Sequence, residues 1–103
     1  MIVRQWSGRA AAEQRGAYPA HFRARVLPEL RSLPGFLGAE LLERDLGGRI
    51  EYQVLTRWDS LAAIARFAGE DPERAVVEPG AAAALLDHDD RVRHYTLAEE
   101  ART

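Results

Sequence analysis

The chain of 103 residues is long enough for one domain, which would bury roughly two-thirds of its unfolded surface, so a partner chain would add stability. Its net charge of −2 argues against nucleic acid and anionic membranes as partners. The absence of cysteine and lysine excludes disulfides, thiol catalysis, cysteine-type zinc sites and lysine Schiff bases. No apolar run approaches the ~20 residues of a membrane span, and the N-terminus lacks the layout of a signal peptide. We therefore expect a cytoplasmic protein.

The first third of the chain predicts a strand followed by a helix. Residues 2–7 alternate in the manner of a strand, and Gly8 ends it. Residues 9–33 then follow a helical period, because their apolar positions recur every three or four residues at Tyr18, Phe22, Val26, Leu30 and Leu33. Pro28 removes a backbone hydrogen bond inside this segment, which predicts a kink or a restart there.

The middle of the chain predicts a β-hairpin and a second helix. Residues 36–44 pair with Arg49–Trp58 across Leu46-Gly47-Gly48, where paired glycines can take the positive φ of a tight turn. Asp59-Ser60 then forms an N-cap, and Gly69 closes the helix. The apolar stripe of this helix comprises Leu61, Ile64, Ala65 and Ala68.

The remainder predicts two short helical turns, at 71–77 and 79–86, and a last strand at 91–97. We expect one domain over residues 1–98 and a polar tail over 99–103. The order strand, helix, strand, strand, helix, strand is that of the ferredoxin-like split βαβ fold, an α+β class with a four-stranded antiparallel sheet. Both helices then lie on one face of the sheet.

Strand Arg49–Trp58 has two half-polar faces. Leu55 lies among charged residues on one face, and Tyr52 and Thr56 carry hydroxyls on the other. Such a strand is expected to be covered on both sides. One face would meet the helices, and the other would meet a second copy of the chain, which predicts a homodimer.

Several residues together resemble the antibiotic-biosynthesis monooxygenase family of the dimeric α+β barrel superfamily. They are Trp6, Tyr18 with His21, Leu33-Pro34-Gly35-Phe36, and the junction Thr56-Arg57-Trp58-Asp59-Ser60 followed by Ala63. The resemblance covers all but the last few residues and implies a dimeric barrel. It also implies a cofactor-independent monooxygenase that oxidises an aromatic polyketide-like or quinol-like small molecule. The junction is mainly a fold marker and does not identify the substrate.

Three departures from the family pattern argue against haem binding. Phe67 stands where many members carry histidine and haem-degrading relatives carry tryptophan, and Ala75, Val76 and Val77 stand where those relatives carry an iron-binding histidine. Trp6 replaces their first-strand asparagine. We therefore expect no cofactor, and haem binding or degradation ranks third. The second alternative is a non-catalytic small-ligand-binding or accessory protein of the same fold.

A cofactor-free oxygenase needs a base, hydrogen bonds to the substrate anion and a dry pocket. Histidine, with an unperturbed pKa of about 6.5, suits the role of the base. We predict His21 as this base, although it could equally be a half-exposed residue packed beside Tyr18. His94 shares a face with Trp6 and is a candidate pocket residue, but cross-strand packing is the simpler interpretation.

The other candidate substrate contacts are Trp6, Tyr18, Tyr52 and Phe67. Tyr52 and Arg57 alternate onto opposite faces of their strand, so both cannot line one pocket. Arg57 is better explained by a salt bridge to Glu40 or Glu51. Residues 87–90, Asp-His-Asp-Asp, are predicted to form a solvated loop that caps the preceding helix, and no metal site is expected.

Overall fold

The computed structural model describes residues 1–103. Its main elements in chain order are β1 (Ile2–Ala11), α1 (Ala17–His21), a π-helical turn (Phe22–Val26), α2 (Leu27–Arg31), β2 (Phe36–Asp45), β3 (Arg49–Trp58), α3 (Leu61–Ala68), α4 (Pro79–Ala83), β4 (Asp87–His88) and β5 (Arg93–Thr96). A short 3-10 turn, Ala12–Gln14, follows β1. No helix in this structure combines the length and apolar character needed to span a bilayer.

The sheet is antiparallel throughout. β3 lies between β2 and β1, and β4 and β5 both pair with the other edge of β1. The ferredoxin-like α+β class predicted from the sequence is confirmed, but the last strand is split into two pieces. Residues 90–92 leave β1 because their backbone turns toward another loop: Val92 N–H donates to Glu73 O at 2.7 Å, and Ala75 N–H donates to Asp90 O at 2.9 Å.

The same hydrogen bonds correct the prediction of a helical turn at residues 71–77. This segment, which we call the 71–77 loop, is non-helical, and its one bridge pairs Arg74 with Arg91. The prediction of a solvated loop at residues 87–90 is also wrong, because Asp87–His88 is a strand that pairs with Arg9 and Gly8 of β1. The helix predicted at 79–86 is shorter than expected and ends at Ala83.

Strand β1 continues past Gly8 to Ala11, which corrects the predicted end of the strand. Gly8 lies opposite Tyr52 in the ladder, and a Cβ at this position would come within 2.8 Å of Leu85 Cδ1. Gly8 is therefore closely packed and does not end the strand. Because residues 9–11 belong to β1, the first helix begins at Ala17 and not at residue 9 as predicted.

The first helical segment contains the predicted irregularity. The π-helical turn ends at Val26, immediately before α2, in which Pro28 lies at the first turn. A proline cannot donate to the carbonyl four residues earlier, and a widened turn accommodates the missing bond. The predicted stripe is largely buried, with Tyr18, Phe22 and Leu30 inaccessible to solvent.

The hairpin and α3 form as predicted. Gly47 has φ of +87°, although Gly48 does not require a positive φ. The side chain of Ser60 accepts a hydrogen bond from Ala63 N–H at 3.2 Å and so caps α3, and Gly69 ends it. The predicted stripe of α3 is wrong in one respect, because Leu61 is exposed and the buried positions are Ala63 and Ile64.

The two faces of the sheet differ as the alternation predicted. Tyr52 points to the helices and is completely buried, whereas Arg57 points away and pairs with Glu40. We call the side away from the helices the open face. Its apolar members are Val3, Leu42, Leu55 and Tyr95, of which Leu42 and Tyr95 are exposed in the single chain.

Candidate functional site

A cavity of about 70 Å³ lies between the helix-facing side of the sheet and the helices. This volume would hold roughly five water molecules. Its wall is mainly apolar and is formed by Arg4, Trp6, Tyr18, His21, Val26, Glu29, Leu30, Val54, Thr56, Phe67, Val76, Val77, Glu78, Ala81 and Val92. An apolar cavity with a few converging polar groups is the usual form of a small-ligand site.

Four of the predicted site residues meet in this wall: Trp6, Tyr18, His21 and Phe67. Tyr52 does not line the cavity, because its ring lies beneath Tyr18 with 5.5 Å between the ring centroids. Burial raises the pKa of both phenols, so both are neutral near pH 7. Tyr52 therefore supports the ring of Tyr18 in this structure.

His94 also lies outside the cavity wall. It is paired with Arg4 across β1 and β5, and its Nε2 is 3.0 Å from Arg4 Nη1. Burial and, secondarily, the charge of Arg4 lower the pKa of His94. The neutral imidazole can accept a hydrogen bond from the guanidinium, so His94 reaches the cavity only through Arg4.

His21 projects from the end of α1, and only 13% of its side chain is exposed. Its Nε2 is buried and makes no hydrogen bond. The nearest carboxylate oxygen is Glu78 Oε2, at 3.9 Å. The ring packs against Gly80, where a Cβ would come 2.9 Å from His21 Cε1 and 3.1 Å from Nδ1. This backbone contact holds the imidazole in the wall of the cavity with one unengaged ring nitrogen.

Glu78 and Glu29 are two carboxyl groups in the same wall. A side-chain hydrogen bond with Glu78, followed by burial, raises the pKa of Glu29. Two adjacent carboxyl groups that interact in this way tend to share a proton. Sequence reasoning missed both residues, because Glu78 is far from His21 along the chain and no local pattern indicates that they meet.

Arg4 is the one arginine in the cavity wall, and the residue is only 5% exposed. Its guanidinium donates to the carbonyl oxygens of Pro72 and Arg74 in the 71–77 loop. Its Cζ lies 5.6 Å from the centroid of the Phe67 ring. Burial lowers the pKa of Arg4 to about 10, which leaves the group charged at neutral pH. Arg4 lies on the same face of β1 as Trp6, but it was not predicted as a site residue.

The two indole N–H groups are already used within the protein. Trp6 Nε1–H donates to Asp89 O at 2.8 Å, and Trp58 Nε1–H donates to Thr56 Oγ1 at 2.9 Å. Trp58 is completely buried and stacks on Phe67 with a centroid distance of 5.6 Å. Trp58 is therefore a core residue, and Trp6 offers a ligand its ring and not its N–H.

The acidic residues at 87–90 have a structural explanation. Asp87 and Asp89 both form ion pairs with Arg9, which tie β4 and the residue after it to β1. No group of three or more His, Asp or Glu side chains in the chain is arranged to hold a metal ion. These residues therefore belong to the sheet edge and not to the cavity.

One comparison with known proteins identifies a family. Residues 1–79 match the family model described as antibiotic biosynthesis monooxygenase. A comparison with curated proteins found no match.

Three solved structures share the fold. A Bacillus cereus protein assigned to the antibiotic biosynthesis monooxygenases has 16% identity and a TM-score of 0.71, with 100% of this chain and 96% of that chain covered. A Deinococcus radiodurans protein with the same assignment has 22% identity and a TM-score of 0.60, with 100% and 98% covered. SnoaB, a cofactor-independent oxygenase from Streptomyces nogalater, has 20% identity and a TM-score of 0.58, with 97% and 92% covered. Because the family model matches residues 1–79 of 103, the chain belongs to the antibiotic biosynthesis monooxygenase family.

Proposed function

We propose that this protein is a cofactor-independent monooxygenase that oxidises an aromatic polyketide-like or quinol-like small molecule, with His21 as the base. The observation that carries the proposal is an imidazole in the wall of an apolar cavity with an unengaged Nε2. Membership of the family and the description of SnoaB as a cofactor-independent oxygenase support the reaction class.

The reaction needs an electron-rich substrate and dioxygen. His21 removes a proton from an acidic carbon or hydroxyl of the substrate, and the resulting anion supplies electrons to dioxygen. A carbon–oxygen bond then forms, and the proton held by His21 passes to the outer oxygen to give a hydroperoxide. Loss of the remaining hydrogen of that carbon and cleavage of the oxygen–oxygen bond leave one oxygen atom as a carbonyl and release the other as water. The apolar wall excludes bulk water from the reactive anion, and Trp6, Tyr18 and Phe67 provide aromatic surfaces for a flat ring.

The size of the cavity favours the smaller members of this substrate class. A cavity of about 70 Å³ is smaller than the roughly 150 Å³ that accommodates benzene, so a quinol-like ring would require less enlargement of the cavity than a polycycle. A larger aromatic polyketide would require movement of the wall around Val76, Val77 and Glu78, of which Val76 is exposed. We therefore place hydroquinones ahead of anthrones as test substrates.

Oxygen uptake tests this proposal directly. Purified protein is mixed with a hydroquinone or a reduced anthrone in the presence of a chelator and without flavin, and oxygen is followed with an electrode. We expect turnover that His21→Ala lowers by about 10²–10⁴-fold, the range for loss of a general base. His88→Ala is the matched control, because His88 lies outside the cavity wall. Equal rates for His21→Ala and the unmodified protein would remove His21 as the base.

The alternative is a protein that binds a small ligand without turning it over. It is supported by Phe67, which stacks on the core residue Trp58 where many relatives carry a polar side chain. Saturable binding of the same aromatic compounds with no oxygen consumption would favour this alternative. A hemin titration that produced a shifted Soret band would instead support haem binding.

We also propose that the protein forms a homodimer through the open face. This face carries Leu42 and Tyr95, which are exposed in the single chain, and the half-buried Leu55, and apolar surface of this kind usually marks an interface. Light scattering after size-exclusion chromatography should give twice the chain mass of 11.5 kDa. Leu55→Arg should shift the protein to monomer, whereas Leu61→Arg, at an exposed position of α3, should not. A monomeric unmodified protein would contradict this assembly.

A further inference from the structure

Arg4 differs from the paired arginines of this chain. Arg9, Arg57 and Arg91 each lie within 4 Å of a carboxylate, although all three are more exposed than Arg4. Arg4 has no carboxylate at that distance. The groups in hydrogen-bond contact with its guanidinium are two carbonyl oxygens and a neutral imidazole. A buried charge normally requires a counter-charge because desolvation is costly. The missing counter-charge points to an anion that the cavity receives from outside the protein.

The guanidinium of Arg4 is held in place by several contacts, but some of its N–H groups make no hydrogen bond within the protein. Nη1 donates to Pro72 O and contacts His94 Nε2, and Nη2 donates to Arg74 O at 2.9 Å. Nε and one Nη2 hydrogen have no partner among the hydrogen bonds of the chain. The ring of Phe67 lies against the group at 5.6 Å and restricts its movement. A planar donor fork that is fixed in this way is suited to the oxygen atoms of a carboxylate or a phenolate.

Thr56 provides a second donor beside Arg4. The two residues are directly opposite in the β1–β3 ladder, point to the same face and both line the cavity. Thr56 Oγ1 accepts the hydrogen bond from Trp58 Nε1, which leaves its own O–H free to donate. Glu29 and Glu78, elsewhere in the wall, would repel an anion placed near them. Charge therefore favours one orientation, with the anionic oxygen of the ligand at Arg4.

We propose that Arg4 and Thr56 form an oxyanion subsite that selects aromatic ligands carrying a carboxylate or an ionised phenol. This inference rests on the proposed function in taking the cavity as the substrate site. It adds a substrate class, aromatic acids and acidic phenols, to the reaction. It also assigns Arg4 a binding role beyond its support of the 71–77 loop.

Calorimetric titration of the full chain with benzoate and with benzamide tests the subsite, because the two probes have nearly the same shape and differ in charge. We expect benzoate to bind about tenfold more tightly, or better, since charge-assisted hydrogen bonds are roughly twice as strong as neutral ones. Arg4→Gln should reduce this preference to about twofold or less. The matched control is Arg23→Gln, which makes the same change of charge at an exposed helical position outside the cavity wall.

A coloured phenol distinguishes a phenolate ligand from a carboxylate ligand. If Arg4 binds phenolate, the pH at which bound 4-nitrophenol ionises should fall in the unmodified protein but not in Arg4→Gln. A benzoate preference without this shift would restrict the subsite to carboxylates. Equal affinities for benzoate and benzamide together with an unshifted 4-nitrophenol, or preferences that survive Arg4→Gln, would overturn the proposal.

Arg4→Gln could fail to fold, because Arg4 also holds the carbonyls of Pro72 and Arg74. A crystal structure of the unmodified protein with benzoate then decides the question. A carboxylate within hydrogen-bond distance of Arg4 supports the subsite, and a carboxylate turned away from Arg4 refutes it. Benzoate preference without oxygen uptake would refute only the monooxygenase proposal, whereas oxygen uptake without any anion preference would refute only the subsite.

Discussion

Substitution of Gly80 by alanine tests whether the backbone of α4 positions His21. The added Cβ would lie 2.9 Å from His21 Cε1 and 3.1 Å from Nδ1. Ordinary carbon contacts begin near 3.5 Å, so the imidazole must move by about half an ångström. Overpacking of this kind costs about 1–3 kcal/mol, and replacing a helical glycine by alanine recovers up to about 1 kcal/mol. We expect a net loss of about 0–3 kcal/mol in the free energy of unfolding.

The functional effect should exceed the effect on stability. A misplacement of 1 Å can cost about 10²-fold in rate, so a shift of half that size should lower oxygen uptake by about tenfold if His21 is the base. The position of the ring can be measured without a substrate, because the chain has only three histidines whose side-chain NMR signals can be separated. We expect the His21 signal to shift, with those of His88 and His94 unchanged.

A control variant separates this contact from general effects of a glycine substitution. Gly48→Ala adds a Cβ that meets nothing within 4 Å, at a position without a positive φ, so stability and the His21 signal should both be preserved. An unshifted His21 signal in Gly80→Ala would refute the steric reasoning. A shifted signal with full activity would instead refute the assignment of His21 as the base.

Three further predictions concern stability. Ser60→Ala removes the side-chain cap of α3 and should lower the free energy of unfolding by about 1 kcal/mol in urea melts; Ser32→Ala, after α2, provides a comparison that leaves this cap intact. Ile64→Ala empties a completely buried position and should cost about 2–5 kcal/mol by the same assay. The pKa of His94 is lowered in the fold by burial and by Arg4, so the unfolded chain binds the proton more readily. The free energy of unfolding should therefore fall as the pH drops through about 6.5, and His94→Gln should weaken that dependence; an unchanged pH profile would contradict it.

Much of the fold could be predicted because its signals are local. The alternation along Arg49–Trp58 correctly separated Tyr52 from Arg57, since successive residues of a strand point to opposite faces. Ser60 and Gly69 marked the ends of α3, because capping depends on hydrogen bonds within one helical turn. Gly8 misled the prediction for β1, since a glycine that is packed inside a strand is indistinguishable in sequence from one that ends a strand.

The candidate site was predicted only in part. Residue type and face indicated Trp6, Tyr18, His21 and Phe67, and the structure brings these four into one cavity wall. Tyr52 shares its face of β3 with the cavity residues Val54 and Thr56 but is covered by the ring of Tyr18. A face can be read from the spacing of residues in a strand. Which residue on that face lines the cavity, and which is covered, depends on the helix that packs against the sheet.

The sequence by itself determined the class of fold, the faces of the strands and the family, because periodicity, caps and the Trp-Asp-Ser junction involve neighbouring residues. Only the tertiary structure decided the composition of the site. Arg4 meets the carbonyls of the 71–77 loop, and His21 meets Glu78 and Gly80, across separations that no local pattern encodes. The path of that loop depends on hydrogen bonds to residues 90–92 that form only when the chain is folded. Arg4 and His21 therefore reach the same cavity wall through packing and not through spacing in the sequence.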